Sequence, residues 1–278
     1  MLDLHSHTRA SDGTLTPTEL VTAARARGVS VLAITDHDTV LGLEEGEAAA
    51  ARLGLKLIPG VEISATEPSG ASVHVLGYFF DRHDAGLGAI LERLVDGRRA
   101  RNIDIAARLT ALGKPVSIEE VEAIADGTVG RPHFARVMLT KGYVGSFEEA
   151  FDDWLGDGKR AWVPRFVVSP RQAADALHAA GGIAILAHPL SYGRSPDKVQ
   201  KAIKAAKQAD LDGIEVHTGN QTPGETTMIA SFTRQAGMLV SGGSDVHSAP
   251  YPDGPKLSTA LLEPLALRAE ARRAEVKR

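Results

Sequence analysis

Two histidines near the N-terminus are spaced to bind one metal ion together. His5 and His7 are separated by one residue, and Leu2 and Leu4 alternate with polar neighbours in the way that is typical of a β-strand. Residues two apart on a strand project to the same side, so both imidazoles would face one point. Imidazole is the commonest metal ligand among protein side chains. Taken alone, the pair is equally compatible with two histidines in an unstructured terminus, so metal binding has to be judged from the rest of the sequence.

The other histidines fall mainly at the ends of predicted strands. Of the 10 histidines, seven lie on or just after an apolar run, usually at its carboxyl end: His5, His7, His37, His74, His188, His217 and His247. Glu62 and Asp245 follow predicted strands in the same way. In α/β barrels the carboxyl ends of the strands meet on the face that carries the active site. Structural histidines would be scattered, so this distribution predicts a multinuclear metal site. His178 lies in an Ala-rich helix and is expected to be structural.

Composition narrows the class of protein. The chain has 278 residues, long enough for one α/β barrel with an insertion, and its 43% hydrophobic and 24% charged residues are ordinary for a soluble protein. It has no Cys, so a transition metal would be held by N and O ligands. The net charge of −4 disfavours a dedicated binder of duplex DNA. There is no secretory signal and no apolar run of the roughly 20 residues that cross a bilayer, so we expect a cytoplasmic protein without membrane contact.

Apolar runs and helix signals alternate along most of the chain, which predicts an α/β fold with right-handed βαβ units and a parallel sheet. Thr16 and Glu19 form a predicted capping box, as do Ser169 and Gln172. Seven strands are predicted in all. Residues 85–164 interrupt the alternation, with predicted helices at 90–112, 118–125 and 133–141 and no strand. We therefore predict a metal-binding barrel formed by residues 1–84 and 165–278, and a helical insertion domain at 85–164.

The predicted insertion is locally basic. Arg131 and His133 lie at a turn that opens a helix, where free backbone N–H groups and a guanidinium favour an anion. Six further arginines of the insertion are interpreted mostly as a solvated helix face: Arg93, Arg98, Arg99, Arg101, Arg108 and Arg136.

The motifs together resemble those of the PHP (polymerase and histidinol phosphatase) superfamily of metal-dependent phosphoesterases. They come in the order of that family and cover nearly the whole chain: His5-x-His7, Thr35-Asp36-His37, Gly60-Val61-Glu62, a fourth strand with His74, Ala187-His188-Pro189 and Gly243-Ser-Asp245-x-His247. The opening residues are most similar to the branch of nucleoside 3′,5′-bisphosphate phosphatases and of exonucleases that act on 5′-phosphorylated RNA. The resemblance implies a distorted seven-stranded (β/α)7 TIM-like barrel whose helical insertion caps the active site.

The resemblance also implies two to three divalent ions, preferably manganese, with iron or zinc as alternatives. The first ion would be held by His5, His7, Glu62 and Asp245. Glu62 would bridge to a second, completed by His74 and His188, and the third would be held by Asp12, His37 and His247. Several PHP phosphatases have a histidine at the position of Asp12, so this carboxylate distinguishes the chain from them. Arg131 and His133 fall at the motif that contacts substrate phosphate in the resembling branch.

The expected activity is release of the 3′-phosphate from nucleoside 3′,5′-bisphosphates, with 5′-3′ exonuclease activity on short 5′-phosphorylated RNA or DNA as a second possibility. A metal-activated water would attack phosphorus, Arg131 would offset the developing charge, and His188 or His217 would assist the leaving oxygen. Two alternatives are a histidinol-phosphate phosphatase and a catalytically inactive PHP scaffold. The protein is expected to act as a monomer.

Overall fold

The computed structural model describes residues 1–67, 69–125, 129–219, 221–252 and 257–276. Within these ranges, seven strands form one sheet in chain order. Backbone hydrogen bonds from Leu4 to Gly242 and from His7 to Val246 join its two edges, so the sheet is a nearly closed barrel. The strands are β1 Leu2–Asp3, β2 Val31–Ile34, β3 Lys56–Thr66, β4 Ser72–Tyr78, β5 Ile183–Leu186, β6 Gly213–His217 and β7 Leu239–Gly242.

The strand side chains alternate between the inside and the outside of the barrel. In β2, Val31 and Ala33 belong to the hydrophobic cluster inside the barrel, whereas Leu32 and Ile34 pack against the surrounding helices. Both faces of the strand are therefore apolar, which explains the short uninterrupted hydrophobic run in the sequence. Apolar side chains fill the interior of the barrel, and the predicted metal-ligating residues begin where these apolar runs end.

One strand runs against the predicted direction. β4 pairs with both β3 and β5 in antiparallel orientation, so the predicted parallel sheet contains one antiparallel strand. Residues 67–71 connect β3 to β4, and five residues are too few for the crossover that parallel strands require. A hairpin forms instead, and it places His74 opposite Ser64. His74 therefore reaches the site from the first half of its strand rather than from a carboxyl end.

The helices surround the barrel or form the insertion, and many begin as the sequence indicates. Thr16 and Ser169 both cap their helices within complete capping boxes. The helical segment 147–155 was not predicted; its second part is a π-helix, Ala150–Leu155. The α-helices are α1 Pro17–Ala26, α2 Leu43–Leu53, α3 Ala85–Ala111, α4 Ile118–Glu122, α5 Arg131–Thr140, α6 Phe147–Glu149, α7 Pro170–Ala179, α8 Pro196–Gln208, α9 Pro223–Ala236 and α10 Leu262–Val276.

Helix α3 connects the barrel with the inserted helices. Its first half contributes Leu87 and Leu94 to the core around the barrel, and its second half contributes Ile105 and Leu109 to a separate hydrophobic cluster with α5 and the π-helix. The segment 85–164 thus has a core of its own, although its delimitation as a domain stays a prediction. In the described ranges, no helix has both the length and the apolarity that a membrane span requires.

Candidate metal centre

His5 and His7 point their ring nitrogens at each other. Strand β1 ends at Asp3, but the chain stays extended beside the segment after β7, because Asp245 donates its N–H to the carbonyl of His5 at 2.8 Å and His7 donates to Val246 at 2.9 Å. The two Nε2 atoms lie 3.1 Å apart, and both side chains are buried. The two predicted ligands therefore face one point, and these backbone hydrogen bonds to the segment after β7 hold them there in place of a longer strand.

Glu62 is the central carboxylate of the cluster, and its two oxygens face different imidazoles. Oε1 lies 3.0 Å from Nδ1 of His74 and 3.0 Å from Nε2 of His188. Oε2 lies within 3.3 Å of ring nitrogens of three other histidines: His5, His7 and His37. A carboxylate that divides its oxygens between two sets of nitrogens has the arrangement of a ligand shared by two ions.

Asp12 reaches the cluster from a tight turn. Asp36 holds this turn by accepting hydrogen bonds from the backbone N–H of Thr8 and from the hydroxyl of Ser11, each at 2.7 Å. Gly13 follows, where a Cβ atom would lie only 2.6 Å from the carbonyl oxygen of His7, so only glycine allows this close approach. The turn brings the Asp12 carboxylate to 3.5 Å from Nε2 of His247.

Among the described residues, three groups of side chains have ligand atoms within 4.8 Å of one another. The groups share members, so they form one continuous cluster rather than separate sites. They are His7, Asp12, His37 and His247; His5, His7 and Asp245; and His37, Glu62 and His74.

Buried imidazoles and carboxylates lie close together in the cluster, and their pKa values are shifted as a result. Burial alone would lower the pKa of His7, but hydrogen bonds to Asp245 and Glu62 raise it to about 10. Burial dominates at His37, whose pKa falls to about 3. The pKa of Asp12 is held well below its usual range, against the effect of burial, by His37 and His247. These opposed shifts express strong mutual attraction between the carboxylates and positive charge at the cluster.

A cavity of about 390 Å³ opens beside this cluster, and we call it the arginine cavity. Asp12, His37 and His74 form one side. The insertion and the segment that leaves it supply four guanidinium groups to the other side, from Arg98, Arg101, Arg131 and Arg165.

Arg98 and Arg101 were interpreted as part of a solvated helix face, and this interpretation is wrong for both. They are only 8% and 6% exposed. Helix α3 turns this face towards the barrel, and because the face lines a polar cavity it carries no apolar stripe in the sequence. Helical periodicity of apolar residues, on which the interpretation rested, cannot report such a face.

Among the described residues, the four arginines pair with only two carboxylates. Arg98 and Arg165 both pair with the buried Asp38, and Arg131 pairs with Asp157 at 2.6 Å. Arg101 donates to the side-chain oxygen of Asn102 at 3.0 Å. Burial, followed by the charges of the neighbouring guanidinium groups, lowers the pKa of Arg101. A bound anion would relieve this repulsion. These four arginines, which we call the arginine wall, are therefore suited to bind a phosphate group.

Known proteins are similar to this chain in both sequence and fold. Residues 3–113 match the PHP domain. A 5′-3′ exoribonuclease of Haemophilus influenzae is 41% identical over 245 residues, which cover 88% of this chain and 89% of the relative. The chain belongs to the PHP family. A 3′,5′-nucleoside bisphosphate phosphatase of Chromobacterium violaceum is 34% identical over 249 residues, 89% of this chain and 87% of the relative.

Solved structures agree with the family assignment. A structure named an amidohydrolase of Chromobacterium violaceum, with bound sulfate and no metal, superposes with a TM-score of 0.87 at 33% identity, covering 98% of this chain and 96% of that one. A Bifidobacterium adolescentis protein classed as a metal-dependent phosphoesterase superposes with a TM-score of 0.83 at 29% identity, covering 96% of each chain. The predictions of the PHP family and of the seven-stranded TIM-like barrel are confirmed.

The side chains of the PHP cluster fit divalent metal ions. Nδ1 of His7 is buried and has no hydrogen-bond partner among the described residues, whereas nearly all buried polar atoms in proteins are paired. The donors are imidazole nitrogens and carboxylate oxygens, the set that suits manganese, iron or zinc. The structure brings together all nine predicted ligands: His5, His7, Asp12, His37, Glu62, His74, His188, Asp245 and His247. Their assignment to individual ions stays a prediction.

Sequence reasoning missed Glu215, which supports two of these ligands. The Glu215 carboxylate accepts a hydrogen bond from Nδ1 of His5 at 2.8 Å and from the backbone N–H of His188 at 2.7 Å. Its only signal in the sequence is an acidic residue inside the apolar run of β6, where a charge is costly unless it is paired. Partners of this kind orient ligating histidines.

The remaining predicted residues occupy different positions. Arg131 lines the arginine cavity. His133 is buried, and its Nδ1 accepts the N–H of Gly130 at 3.0 Å, so this ring fixes the start of α5. His217 lies at the end of β6, and in the described part of the chain its ring has no hydrogen-bond partner; burial lowers its pKa. Substrate contact by His133 and proton transfer by His217 or His188 stay predictions.

Proposed function

We propose that this PHP protein hydrolyses nucleoside 3′,5′-bisphosphates and releases the 3′-phosphate. The proposal rests on one observation: the same cavity is lined by residues of the metal-ligand cluster and by the arginine wall. Each of the two could bind a phosphate group. A substrate with two phosphates separated by a ribose would place one at each site. Its 3′-phosphate would be the one that reacts, and its 5′-phosphate the one that anchors.

The arginine cavity also has room for the nucleoside. Phe151 and Trp162 contribute aromatic surface to its lining, and aromatic rings are the usual stacking platforms for nucleobases. The insertion therefore supplies both the anchoring charges and apolar surface.

Divalent ions held by the nine ligands would polarise the phosphoryl oxygens and lower the pKa of a coordinated water to about 7. The protein side chains carry out the other tasks. Glu215 fixes the tautomer of the His5 ring, so that its Nε2 faces the cluster. Arg101 and Arg131 hold the anchoring phosphate and prevent the nucleotide from sliding past the reacting one.

The leaving 3′ oxygen requires a proton, and two histidines are candidates. Nε2 of His188 lies 3.0 Å from Glu62, whose carboxylate contributes to a raised His188 pKa despite burial. His217 is half-buried and its pKa is lowered. Because His188 is also one of the nine proposed metal ligands, either histidine is retained as the proposed proton donor.

The relatives support a phosphoesterase that acts on nucleotides, since the two most informative ones are named for a nucleoside bisphosphate and for RNA. A short 5′-phosphorylated oligonucleotide presents the same 5′-phosphate and ribose, so 5′-3′ exonuclease activity is the second activity we propose. Histidinol phosphate has one phosphate and a protonated amine, which the four arginines would repel, so this alternative is disfavoured. An inactive scaffold is disfavoured because no predicted ligand is missing from the cluster. Manganese as the metal, a monomeric state and a cytoplasmic location stay predictions.

The experiment is incubation of adenosine 3′,5′-bisphosphate with manganese-loaded protein, followed by chromatographic identification of the product. The proposal requires adenosine 5′-monophosphate and one equivalent of phosphate, and it requires His5→Ala to abolish both. Adenosine 3′-monophosphate as the product would contradict it, and equal turnover by His5→Ala would remove the role of the cluster.

A further inference from the structure

A second cavity adjoins the metal-ligand cluster and shares no described lining residue with the arginine cavity. It has a volume of about 190 Å³, and we call it the β6 cavity because Thr218, Gly219 and Gln221, which follow β6, line it. Two metal-ligand residues, His188 and Asp245, form its inner wall. The arginine cavity instead contains Asp12, His37 and His74, and no described residue lines both cavities. The cluster therefore borders two separate cavities.

We propose that the β6 cavity binds the sugar of the second nucleotide of a 5′-phosphorylated oligonucleotide. This inference rests on the proposed function, which places the first nucleoside in the arginine cavity. A bisphosphate carries a nucleoside on only one side of its reacting phosphate, so it leaves the β6 cavity unused. A phosphodiester carries a nucleoside on each side of its phosphate, and two separate cavities border the cluster.

The chemistry of the two substrates is the same at the reacting phosphorus. Water adds to phosphorus as the bond to the 3′ oxygen of the first nucleotide breaks, and that oxygen takes a proton. With a bisphosphate the phosphorus departs as inorganic phosphate. With an oligonucleotide it stays on the second nucleotide as a new 5′-phosphate, so the second sugar remains attached at the cluster until release. A subsite for that sugar is useful only for the oligonucleotide.

The size and the polar groups of the β6 cavity suit a sugar. Its volume lies below the range of roughly 300 to 1,000 Å³ that is typical of pockets for whole small molecules, so it fits part of a nucleotide rather than all of it. Gln221 turns its side-chain oxygen to the N–H of Thr218 at 3.3 Å and to the hydroxyl of Thr226 at 3.2 Å. In the described part of the chain its buried amide nitrogen has no hydrogen-bond partner, so a small rotation of the amide would offer this donor to a sugar oxygen.

Gly219 permits a test that fills the cavity without disturbing the chain. A Cβ atom there would meet its nearest neighbour, the carbonyl oxygen of Ser244, at 3.4 Å, and its φ lies outside the left-handed region that strains other residues. Gly219→Val would therefore fold and occupy part of the cavity. Gly224 in the first turn of α9 is the matched control, because a Cβ there would meet nothing within 4 Å and no described cavity contains it.

The test compares kcat/KM for adenosine 3′,5′-bisphosphate with that for a 5′-phosphorylated diadenylate. We expect Gly219→Val to lower the value for the dinucleotide about tenfold or more and to leave that for the bisphosphate within about twofold. Gly224→Val should change neither. Binding of a dinucleotide analogue with a methylene group in place of the bridging 3′ oxygen, measured by calorimetry, should weaken in parallel in Gly219→Val.

The outcomes separate the two proposals. If Gly219→Val lowers both activities equally, or neither, or if the wild-type protein cleaves the bisphosphate but not the dinucleotide, the β6 subsite is refuted and the proposed hydrolysis of bisphosphates stands. If the wild-type protein hydrolyses neither substrate, the proposed function has failed and the subsite fails with it.

Discussion

The carboxylate of Glu215 accepts a hydrogen bond from Nδ1 of His5 at 2.8 Å, and neither side chain is exposed to solvent. The bond requires a proton on Nδ1, so the lone pair of Nε2 faces the cluster, where a metal ligand needs it. Because the second oxygen of Glu215 accepts the backbone N–H of His188, one carboxylate aligns two predicted ligands from distant parts of the sequence.

Glu215→Gln removes the charge of this carboxylate and retains its shape. Such outer partners typically change metal affinity by about 10- to 100-fold, so we expect a loss of at least about tenfold in manganese affinity. Competition with a fluorescent chelator measures it. Glu44→Gln, on the exposed side of α2, is the control and should bind manganese normally. Unchanged affinity in Glu215→Gln would show that His5 is oriented by packing alone.

Arg101→Met tests the anchoring phosphate. Because Arg101 is buried and has no carboxylate partner among the described residues, its charge should act mainly on the substrate. A charge-assisted hydrogen bond contributes about 2 to 3 kcal/mol, so kcat/KM for adenosine 3′,5′-bisphosphate should fall about 30- to 100-fold. The value for adenosine 3′-monophosphate, which lacks the 5′-phosphate, should change little. Arg99→Met, an exposed arginine on the same helix, is the control. Equal losses on both substrates would contradict the anchoring role.

Asp12→Asn tests the third metal position. The amide keeps the shape of the turn but loses the charge that faces His37 and His247. We expect one fewer equivalent of bound manganese per chain by elemental analysis, with the remaining equivalents retained. Asp96→Asn, exposed on α3, should keep the wild-type stoichiometry. The same metal content in Asp12→Asn and in the wild-type protein would mean that Asp12 is not a ligand.

Asp212 secures the C-terminal helix, and its contribution should depend on pH. Its carboxylate accepts hydrogen bonds from His178 at 2.7 Å, the N–H of Ala184 at 2.9 Å and Arg268 at 2.8 Å. These partners, with Arg272, hold the pKa of Asp212 well below its usual range although burial opposes them. The stabilisation is therefore complete above the ordinary aspartate pKa of about 3.9 and is lost as the pH falls towards the lower pKa of the folded state.

Asp212→Asn should accordingly lower the free energy of unfolding by about 2 kcal/mol at pH 7, measured by urea denaturation in EDTA. The difference from the wild-type protein should shrink as the pH is lowered below about 4. Asp175→Asn, at an exposed ion pair on α7, should have little effect. A difference that is constant from pH 7 to pH 3 would exclude a role for the charge.

Most of the predicted ligand residues could be recognised in the sequence because they follow or interrupt an apolar run, whereas Asp12 was assigned from the family resemblance. His37 after β2 and Asp245 after β7 are examples. The direction of β4 was missed because direction depends on the length of a connection rather than on the strand itself. Arg101 was missed because a helix face towards a polar cavity has the same composition as a face towards water. Glu215 was missed because its role depends on His5, 210 residues away.

The ratio of kcat/KM for adenosine 3′,5′-bisphosphate to that for histidinol phosphate, with manganese, tests the central claim most directly. If the arginine wall anchors a second phosphate beside the metal centre, the ratio should exceed about 100. Histidinol phosphate lacks the second phosphate and therefore charge-assisted contacts of about 2 to 3 kcal/mol, and the arginines repel its protonated amine. A ratio of one or less would contradict the account and select the histidinol-phosphate phosphatase.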